Sequence, residues 1–228
     1  RPGTRPDPAL AEPCFAVSAP VRFITFEGGE GGGKSTQIQV LADRLRRSGH
    51  TVLVTREPGG TPDAEAIRAL LTAGAADRWD PLAETLLLLA ARRQHIARAI
   101  APALARGEWV LSDRFYDSTR AYQGVAQAVS RATVDAMHVP VLEGLHPGLT
   151  LVLDLDPETG LARAESAGNA NRYESWDLAK HTAIREAFLE IAAGEPERCA
   201  VIDAMQPAAA VTEVVWQTVA SRYFLPST

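Results

Sequence analysis

The sequence contains only two cysteines, Cys14 and Cys199, which stand far apart and lack metal-ligand spacing. Secreted disulfide scaffolds carry several cysteines in a short chain, so that class is excluded and a reducing cytoplasm fits better. No apolar run approaches the roughly 18 residues that a membrane-spanning helix needs, and the longest block, 86–91, indicates a buried helix segment. We therefore expect a cytoplasmic protein without a membrane partner.

An excess of positive charge is also missing. Lys and Arg number 23 against 28 Asp and Glu, which gives a formal net charge of −5 over 228 residues. A general nucleic-acid binder would carry a basic face, so nucleic acid is not expected as a partner. A local group of arginines could still bind a small anionic substrate.

The first 20 residues differ in composition from the rest of the chain. Prolines stand at positions 2, 6, 8, 13 and 20. The segment lacks the apolar core of a secretory signal, and Asp7 and Glu12 are unlike a transit peptide. We expect residues 1–20 to be a disordered extension or a start-site artefact, and residues 21–224 to form a single domain.

A glycine-rich segment follows the first apolar run and matches the phosphate-loop pattern G-x-x-x-x-G-K-[ST]. The residues before it indicate a buried strand and those after it a helix, which is the setting this motif requires. In such a loop the backbone N–H groups surround phosphates, the lysine reaches the β- and γ-phosphates, and the hydroxyl binds Mg²⁺. The residues expected to bind a nucleoside triphosphate are Gly28, Gly29, Glu30, Gly31, Gly32, Gly33, Lys34, Ser35 and Thr36.

Strand-like and helix-like segments alternate along the chain. The expected strands, short and apolar on both faces, are 22–26, 51–55, 109–112, 149–154 and 199–203. The expected helices are 35–47, 62–73, 81–106 with a kink at Pro102, 130–144, 157–166, 175–193 and 207–223. The alternation predicts an α/β fold with a five-stranded parallel sheet and helices on both faces. Gly28, Glu57, Asp113 and Asp156 each follow a strand, so we expect them to meet at one edge of the sheet.

The segment after the third strand separates the classes of phosphate-loop protein. The chain lacks the Asn-Lys-x-Asp signature that reads guanine, which disfavours a GTPase. Asp113 and Arg114 pair a carboxylate that can organise Mg²⁺ with a guanidinium that can bind an anion. Residues 115–124 are polar and aromatic, and we interpret them as a loop suited to a base and a sugar.

Four sequence blocks together resemble the bacterial thymidylate kinases, which are phosphate-loop nucleoside monophosphate kinases. The blocks are 26–37, 55–61 (Thr-Arg-Glu-Pro-Gly-Gly-Thr), 113–124 with Ala-Tyr-Gln-Gly at its end, and 201–204. The resemblance implies a phosphate-loop NTPase fold with a small mobile lid. It also implies transfer of the γ-phosphoryl group of ATP to dTMP, with Mg²⁺, to give dTDP and ADP.

The resemblance assigns roles to single residues as well. Glu30 would approach the sugar 3′-hydroxyl of dTMP, Tyr122 would crowd the 2′ position, and Ser118 and Gln123 would read the thymine edge. The residues implied to bind dTMP are Glu30, Glu57, Pro58, Leu88, Arg92, Arg114, Ser118, Tyr122 and Gln123. Those implied in catalysis are Lys34, Asp113, Arg114, Arg163 and Arg172, with Ser35 and Asp113 as metal ligands. The acceptor phosphate is already ionised near neutral pH, so no general base is needed, and no His–carboxylate pair stands out.

The chain departs from the family pattern at the lid. Residues 157–174 take the place of the lid, but Glu165 and Ala167 stand where other members carry arginine. Our hypothesis is that Arg163 or Arg172 supplies positive charge to the transferring phosphoryl group.

A second departure is Leu88, which replaces a Phe that stacks on thymine in many members. We expect weaker dTMP binding rather than a new specificity, because Leu lacks the ring-on-ring geometry. The residues that we interpret as structural are Arg93 and His95 on a solvated helix face, His138, His146 and His181, the tryptophans Trp79, Trp109, Trp176 and Trp216, and Asp203 as a helix cap.

Two other functions stay open. The first is a kinase of the same fold that acts on a deoxynucleoside or on another nucleotide. With a deoxynucleoside, the acceptor hydroxyl would need a base, and Glu57 could serve as one. A nucleotide-binding module with weakened catalysis is supported only by the depleted lid, while the retention of Lys34, Asp113 and Arg114 argues against it. Because family members commonly pair through packed helices, we expect a homodimer, with 82–91 either a dimer face or core.

Overall fold

The computed structural model describes residues 20–75, 77–166 and 173–225. At its centre lies a parallel five-stranded sheet in the order β2-β3-β1-β4-β5. The strands are β1 (Phe23–Glu27), β2 (Val52–Arg56), β3 (Trp109–Asp113), β4 (Leu149–Asp154) and β5 (Cys199–Asp203). Each predicted strand agrees with the structure to within one residue, because apolar β-branched runs between polar turns are the strongest signal of a buried strand.

The helices in the described residues are α1 (Lys34–Arg47), α2 (Pro62–Thr72), α3 (Pro81–His95), α4 (Ala101–Ala105), α5 (Tyr116–Thr119), α6 (Arg131–Leu142), α7 (Pro157–Ser166), α8 (Leu178–Gly194) and α9 (Ala208–Tyr223). Apart from α5, which was not predicted, they lie within the predicted helical segments or within three residues of their limits. Side chains cap several of these helices. Asp80 and Asp177, for example, accept hydrogen bonds from backbone N–H groups at the starts of α3 and α8.

Both faces of the sheet are covered. Ile24 and Phe26 of β1 pack in one apolar cluster with α1 and α9. Phe23, which points the other way because successive strand residues alternate, packs with Ile96, Ile100 and residues of α4 and α6. The sheet is therefore buried on both sides, and its polar carboxyl edge is left to form a site.

The long helix predicted over 81–106 is continuous but changes geometry before Pro102. Between α3 and α4 the segment Ile96–Ile100 is π-helical, and the N–H of Ala101 donates to the carbonyl of Ile96, five residues back. Pro102 has no N–H and its ring crowds the preceding turn, so a wider turn accommodates it. The chain stays helical through Pro102, and the departure from α-helical geometry is a π-helical segment before it.

The interpretation of 115–124 as a loop is wrong. After α5 the chain continues as a π-helical segment, Arg120–Ala126. Ala121 and Tyr122 of this segment pack in one apolar cluster with Ile184 and Phe188 of α8. The polar and aromatic composition hides the helix because its apolar contacts come from a distant part of the chain.

The apolar block 86–91 is only partly buried, contrary to expectation. Leu88, Leu89 and Ala91 are buried, whereas Leu86 is 54% exposed and Leu82, one turn earlier, is 45% exposed. No helix among the described residues is long and apolar enough to cross a membrane.

Asp203 closes a turn rather than capping α9. Its carboxylate accepts from the N–H of Met205 and the Nε2 of Gln206, both at 2.9 Å. The N-cap of α9 is Pro207.

Candidate active site

A cavity of about 750 Å³ opens at the carboxyl edge of the sheet. It brings together most of the residues singled out in the sequence: Glu30, Gly31, Gly32, Gly33, Lys34, Ser35, Thr36, Glu57, Pro58, Leu88, Arg92, Asp113, Arg114, Ser118, Tyr122, Gln123 and Arg163. Gly28 and Gly29 do not line it. Their carbonyl oxygens accept hydrogen bonds from Lys34 instead, at 3.2 and 2.6 Å.

The phosphate loop depends on glycine for its shape. Gly28 and Gly33 have φ angles of 125° and 78°, in the region that disfavours side chains. A Cβ atom on Gly28 would also lie 2.5 Å from the carbonyl oxygen of Leu153. The loop therefore follows β4 closely and delivers Lys34 as the first residue of α1, with burial and nearby Arg114 lowering the lysine pKa.

Ser35 and Asp113 place two oxygen atoms side by side. The Ser35 hydroxyl donates to Asp113 Oδ2 at 2.7 Å, joining the start of α1 to the end of β3. Among the described residues no group of three or more His, Cys, Asp or Glu could hold a metal ion. A cation at this place would take only one or two protein oxygens, which is the usual pattern for Mg²⁺ with substrate phosphates.

Arg114 and Glu30 form an ion pair inside the cavity. Arg114 donates to Glu30 Oε1 at 2.8 Å, and the Tyr122 hydroxyl donates to the same oxygen at 3.0 Å. Burial alone would raise the pKa of Glu30, but the charges of Arg114 and Lys34 outweigh it and lower the pKa to about 2. The Glu30 carboxylate is therefore ionised and held on a fixed side of the cavity.

The backbone of Arg114 is held in a strained conformation. Its φ angle is 70°, a left-handed conformation that is unusual for a residue with a side chain. Two further hydrogen bonds from its guanidinium, to the carbonyl of Gly28 and to Ser118 Oγ, hold it there. Strained residues of this kind concentrate at functional sites.

Glu27, the last residue of β1, supports this arrangement from below, and the sequence interpretation missed it. The carboxylate is fully buried and accepts from the N–H of Phe115 at 2.7 Å and from Ser118 Oγ at 2.6 Å. Burial and the charge of Asp117 raise its pKa to about 8. The only signal available in the sequence is its place between a buried strand and the phosphate loop.

A second buried network fixes Arg92. Its Nε donates to Glu57 Oε2 at 2.6 Å, and its terminal nitrogens donate to Thr119 Oγ1 and the carbonyl of Phe115, both at 3.0 Å. His138 Nε2 accepts a further bond from Arg92 at 2.8 Å while its Nδ1 donates to a helix carbonyl. Burial and the charge of Arg92 lower the His138 pKa to about 3, so this imidazole stays neutral.

Two sequence interpretations fail at this network. His95 is fully buried rather than solvated, and its Nδ1 lies 3.0 Å from Glu57 Oε1, so a His–carboxylate pair does exist. His95 follows Arg92 by three positions on α3 and therefore shares its face. Burial would raise the Glu57 pKa, but Arg92 and His95 outweigh it and lower the pKa.

Comparison with known proteins decides the family. A thymidylate kinase family model matches residues 26–215. The thymidylate kinase of Caulobacter vibrioides is 58% identical over 200 residues, covering 88% of this chain and 96% of that protein. The one from Magnetococcus marinus is 48% identical over 205 residues, covering 90% and 98%. A crystal structure of thymidylate kinase from Ehrlichia chaffeensis superposes with a TM-score of 0.71 at 34% identity, covering 86% of this chain and 97% of that one.

The chain belongs to the thymidylate kinase family. It is therefore a kinase with the phosphate-loop NTPase fold that the sequence predicted.

Leu88, Tyr122 and Gln123 all line the cavity. Leu88 is 9% exposed and Gln123 only 2%, so both present small surfaces to the cavity. The Nε2 of Gln123 donates to Glu84 Oε1 at 2.9 Å. The hydroxyl of Ser118, which the resemblance assigns to the thymine edge, donates a hydrogen bond to Glu27 and accepts one from Arg114.

The predicted lid is described only in part. Helix α7 forms its first part and packs directly on the phosphate loop. A Cβ atom on Gly31 would collide with the carbonyl of Gly160, and one on Gly160 would collide with the carbonyl of Glu30. Arg163 of α7 lines the cavity and donates to the carbonyl of Ala204 at 3.3 Å. Arg172 lies outside the described residues.

The cavity is also lined by residues to which the sequence analysis gave no role. They are Arg56, Arg68, Thr72, Thr119, Tyr173 and Glu174. Arg68 donates to the carbonyl of Pro58 at 2.8 Å, and both residues line the cavity. In the sequence Arg68 has the appearance of an ordinary surface arginine on α2, and only the fold brings it to the site.

Proposed function

We propose that the cavity holds ATP over the phosphate loop and dTMP between Leu88, Arg92, Tyr122 and Gln123, so that the γ-phosphoryl group passes directly between them. The observation that carries the proposal is the set of basic side chains that converge on one cavity: Lys34, Arg56, Arg68, Arg92, Arg114 and Arg163. Two phosphate-bearing substrates bring negative charge that such a set can offset.

The chemistry needs alignment more than proton transfer. The accepting oxygen of dTMP is ionised near neutral pH, and the transition state for phosphoryl transfer is loose, with its charge spread over several oxygens. Lys34 and the loop N–H groups are placed to stabilise the ATP phosphates, and Arg114 the dTMP phosphate. Glu30, kept ionised by Arg114, would accept a hydrogen bond from the sugar 3′-hydroxyl, and Tyr122 beside it would crowd a 2′-hydroxyl.

We also propose Mg²⁺ at the paired oxygens of Ser35 and Asp113. The donor set fits this ion, since both ligands are oxygens and they already lie 2.7 Å apart. When bound, the ion would neutralise charge on the β- and γ-phosphates. The hydroxyl of Ser35 would then turn its lone pairs toward the ion while Asp113 keeps its place at the end of β3.

The competing deoxynucleoside kinase needs a free carboxylate near the acceptor hydroxyl. Glu57 is the residue that could serve, but both of its oxygens are engaged, by Arg92 and by His95. A carboxylate that is held in this way and has a lowered pKa is a weak base. This favours a phosphate acceptor over a hydroxyl acceptor.

Three broader properties belong to the same proposal. Residues 21–224 would form the kinase domain, with 157–174 as its lid. A homodimer through α3 is supported by the exposed side chains of Leu82 and Leu86, which lie one turn apart. A cytoplasmic location is supported by the scarcity of cysteine and by Cys199, which is a buried free thiol.

An ADP-release assay tests the proposal. ATP and Mg²⁺ are supplied with dTMP, dUMP, dCMP, dGMP, AMP, thymidine or no acceptor. We expect a clear preference for dTMP that is lost in Lys34→Ala and retained in Lys180→Ala, which removes the only other lysine of the chain, on α8 above Trp176. Turnover of thymidine but not dTMP, or ATP binding without turnover of any acceptor, would overturn it.

A further inference from the structure

Glu84 is a fully buried carboxylate that lies behind the base end of the cavity. It is on α3, one turn before Leu88 and two turns before Arg92, so all three share one helix face. Unlike those two residues it does not line the cavity. Burying a carboxylate is costly unless hydrogen bonds compensate, so its presence there needs a cause.

Three side chains donate to a single oxygen of Glu84. They are Gln123 and Gln127 through Nε2, both at 2.9 Å, and Tyr173 through its hydroxyl at 3.0 Å. Position in the first turn of a helix favours an acidic residue, but it does not explain donors from two other parts of the chain. The geometry is that of an acceptor that orients its neighbours.

The contact to Gln123 fixes the direction of a carboxamide. Glu84 Oε1 accepts this bond from the NH₂ group of Gln123, so the amide oxygen of Gln123 faces away from Glu84. Gln123 lines the cavity, and within the described part of the chain its side-chain oxygen accepts no hydrogen bond. The side-chain oxygen of Gln123 is thereby available as a hydrogen-bond acceptor in the part of the cavity that is proposed to hold the nucleotide base.

We infer that Glu84, acting through the Gln123 carboxamide, makes the site select pyrimidines that carry a hydrogen on N3. This rests on the proposed function, since it concerns the base of the nucleotide that the cavity accepts. Thymine and uracil carry an N3–H donor, which pairs with an oxygen acceptor. Cytosine has a lone pair on N3 and would face the same oxygen with an acceptor, so it is rejected by repulsion as well as by a missing bond.

The same geometry does not separate thymine from uracil, because both carry the N3 hydrogen. Glu84 is therefore a positioning residue for one feature of the base only. That restriction distinguishes it from a residue that merely keeps the cavity in shape, whose loss would alter the use of every nucleotide.

The variant Glu84→Gln tests this role. A neutral amide can donate as well as accept, so the Gln123 carboxamide becomes free to turn. The ratio of kcat/KM for dTMP to that for dCMP is expected to fall by about tenfold or more. The ratio for dTMP to dUMP is expected to stay unchanged. Where dCMP turnover is too slow to measure, the inhibition constants of dCMP and dUMP against dTMP give the same two ratios.

Two further variants separate orientation from structure. Gln127→Leu removes another donor to the same Glu84 oxygen, and Gln127 does not line the cavity, so both ratios should equal those of the wild type even if Tm falls. The double change E84Q/Q123E puts a carboxylate in the place of the turning amide, and since it accepts in either orientation, the dTMP to dCMP ratio should recover relative to Glu84→Gln alone.

The outcomes distinguish this inference from the proposed function. If the wild type does not phosphorylate dTMP, the proposed function itself fails. If it does, but Glu84→Gln changes the dCMP and dUMP ratios equally or changes neither, Glu84 is structural and the inference is overturned.

Discussion

Arg92 Nε lies 2.6 Å from Glu57 Oε2, and each side chain is only 3% exposed. A buried ion pair of this kind is held by its other hydrogen bonds, and here four of the five N–H donors of Arg92 are directed at protein groups. The guanidinium is consequently fixed before substrate arrives. Glu57, which the sequence left open as a base, acts instead as a support for the arginine.

Glu57→Gln should therefore destabilise the fold as well as the site. Removing one charge of a buried pair leaves the other uncompensated, which typically costs about 3 kcal/mol. We expect a loss of this size in urea unfolding, together with a higher KM for dTMP. Glu143→Gln, which breaks the exposed pair with Arg93, should cost less than about 1 kcal/mol. Equal losses in the two variants would contradict the importance of burial.

Glu27 should make stability depend on pH. Its pKa is raised to about 8 in the folded protein, so the folded state holds a proton that the unfolded chain releases near pH 4.5. The stabilisation is complete below pH 4.5 and is lost as the pH rises toward 8. In urea unfolding, the free energy of unfolding of the wild type should fall relative to that of Glu27→Gln between pH 5 and about pH 8. Between pH 8 and 9 the difference between the two proteins should no longer change. A difference that is constant from pH 5 to 9 would show that Glu27 is ionised throughout.

Gly160→Ala should disturb the phosphate loop from outside. The added methyl group would collide with the carbonyl of Glu30, so either α7 or the loop must move. A displacement near 1 Å can lower the rate by about 100-fold, and we expect kcat/KM for dTMP to fall toward that value. Gly194→Ala is the matched control, since nothing lies within 4 Å of its added methyl group. Unchanged kinetics in Gly160→Ala would show that the contact is not tight.

Leu88→Phe should improve dTMP binding. Leu88 lines the cavity, and an aromatic ring there could stack on the base for about 0.5–1.5 kcal/mol, or about two- to tenfold in KM. The KM for ATP should stay the same. Leu86→Phe, on the exposed side of the same helix, should leave both constants unchanged. If the KM for dTMP does not fall in Leu88→Phe, the missing stack is not what limits binding.

Arg163→Ala should lower kcat. Arg163 is the described lid arginine that lines the cavity, and removing one charge-stabilising donor from such a site costs at least about tenfold. Steady-state kinetics at saturating ATP and dTMP would measure the loss, with Arg98→Ala, at an exposed position of the π-helical segment Ile96–Ile100, as the control. No loss of kcat would remove Arg163 from the catalytic set.

The sequence predicted the elements whose local pattern is strong. The predicted bounds of the strand 149–154 and the helix 157–166 agree with the structure at both ends. An apolar run marks the strand, and an Asp-Pro pair marks the start of the helix. The sequence also predicted the phosphate loop between a strand and a helix, because each fixed residue of the motif has a physical role in binding phosphate. The helical nature of 115–124 could not be seen, since its packing partners lie on α8.

Buried polar residues were the main omission at the site. Glu27, Glu84 and His95 have the same appearance in the sequence as exposed polar side chains, and each is fully buried. What decides their place is a partner from another element: Ser118 for Glu27, Gln123 for Glu84, and Glu57 for His95. Periodicity within one helix cannot supply that information.

The π-helical segment Arg120–Ala126 carries both Tyr122 and Gln123, which face the same cavity although they are consecutive. In a π-helix each turn holds more residues than in an α-helix, so neighbouring side chains diverge by a smaller angle. Deleting one residue there would restore α-helical spacing and rotate one of the pair out of the site. The length of this segment thus sets which of its side chains reach the cavity, independent of their identity.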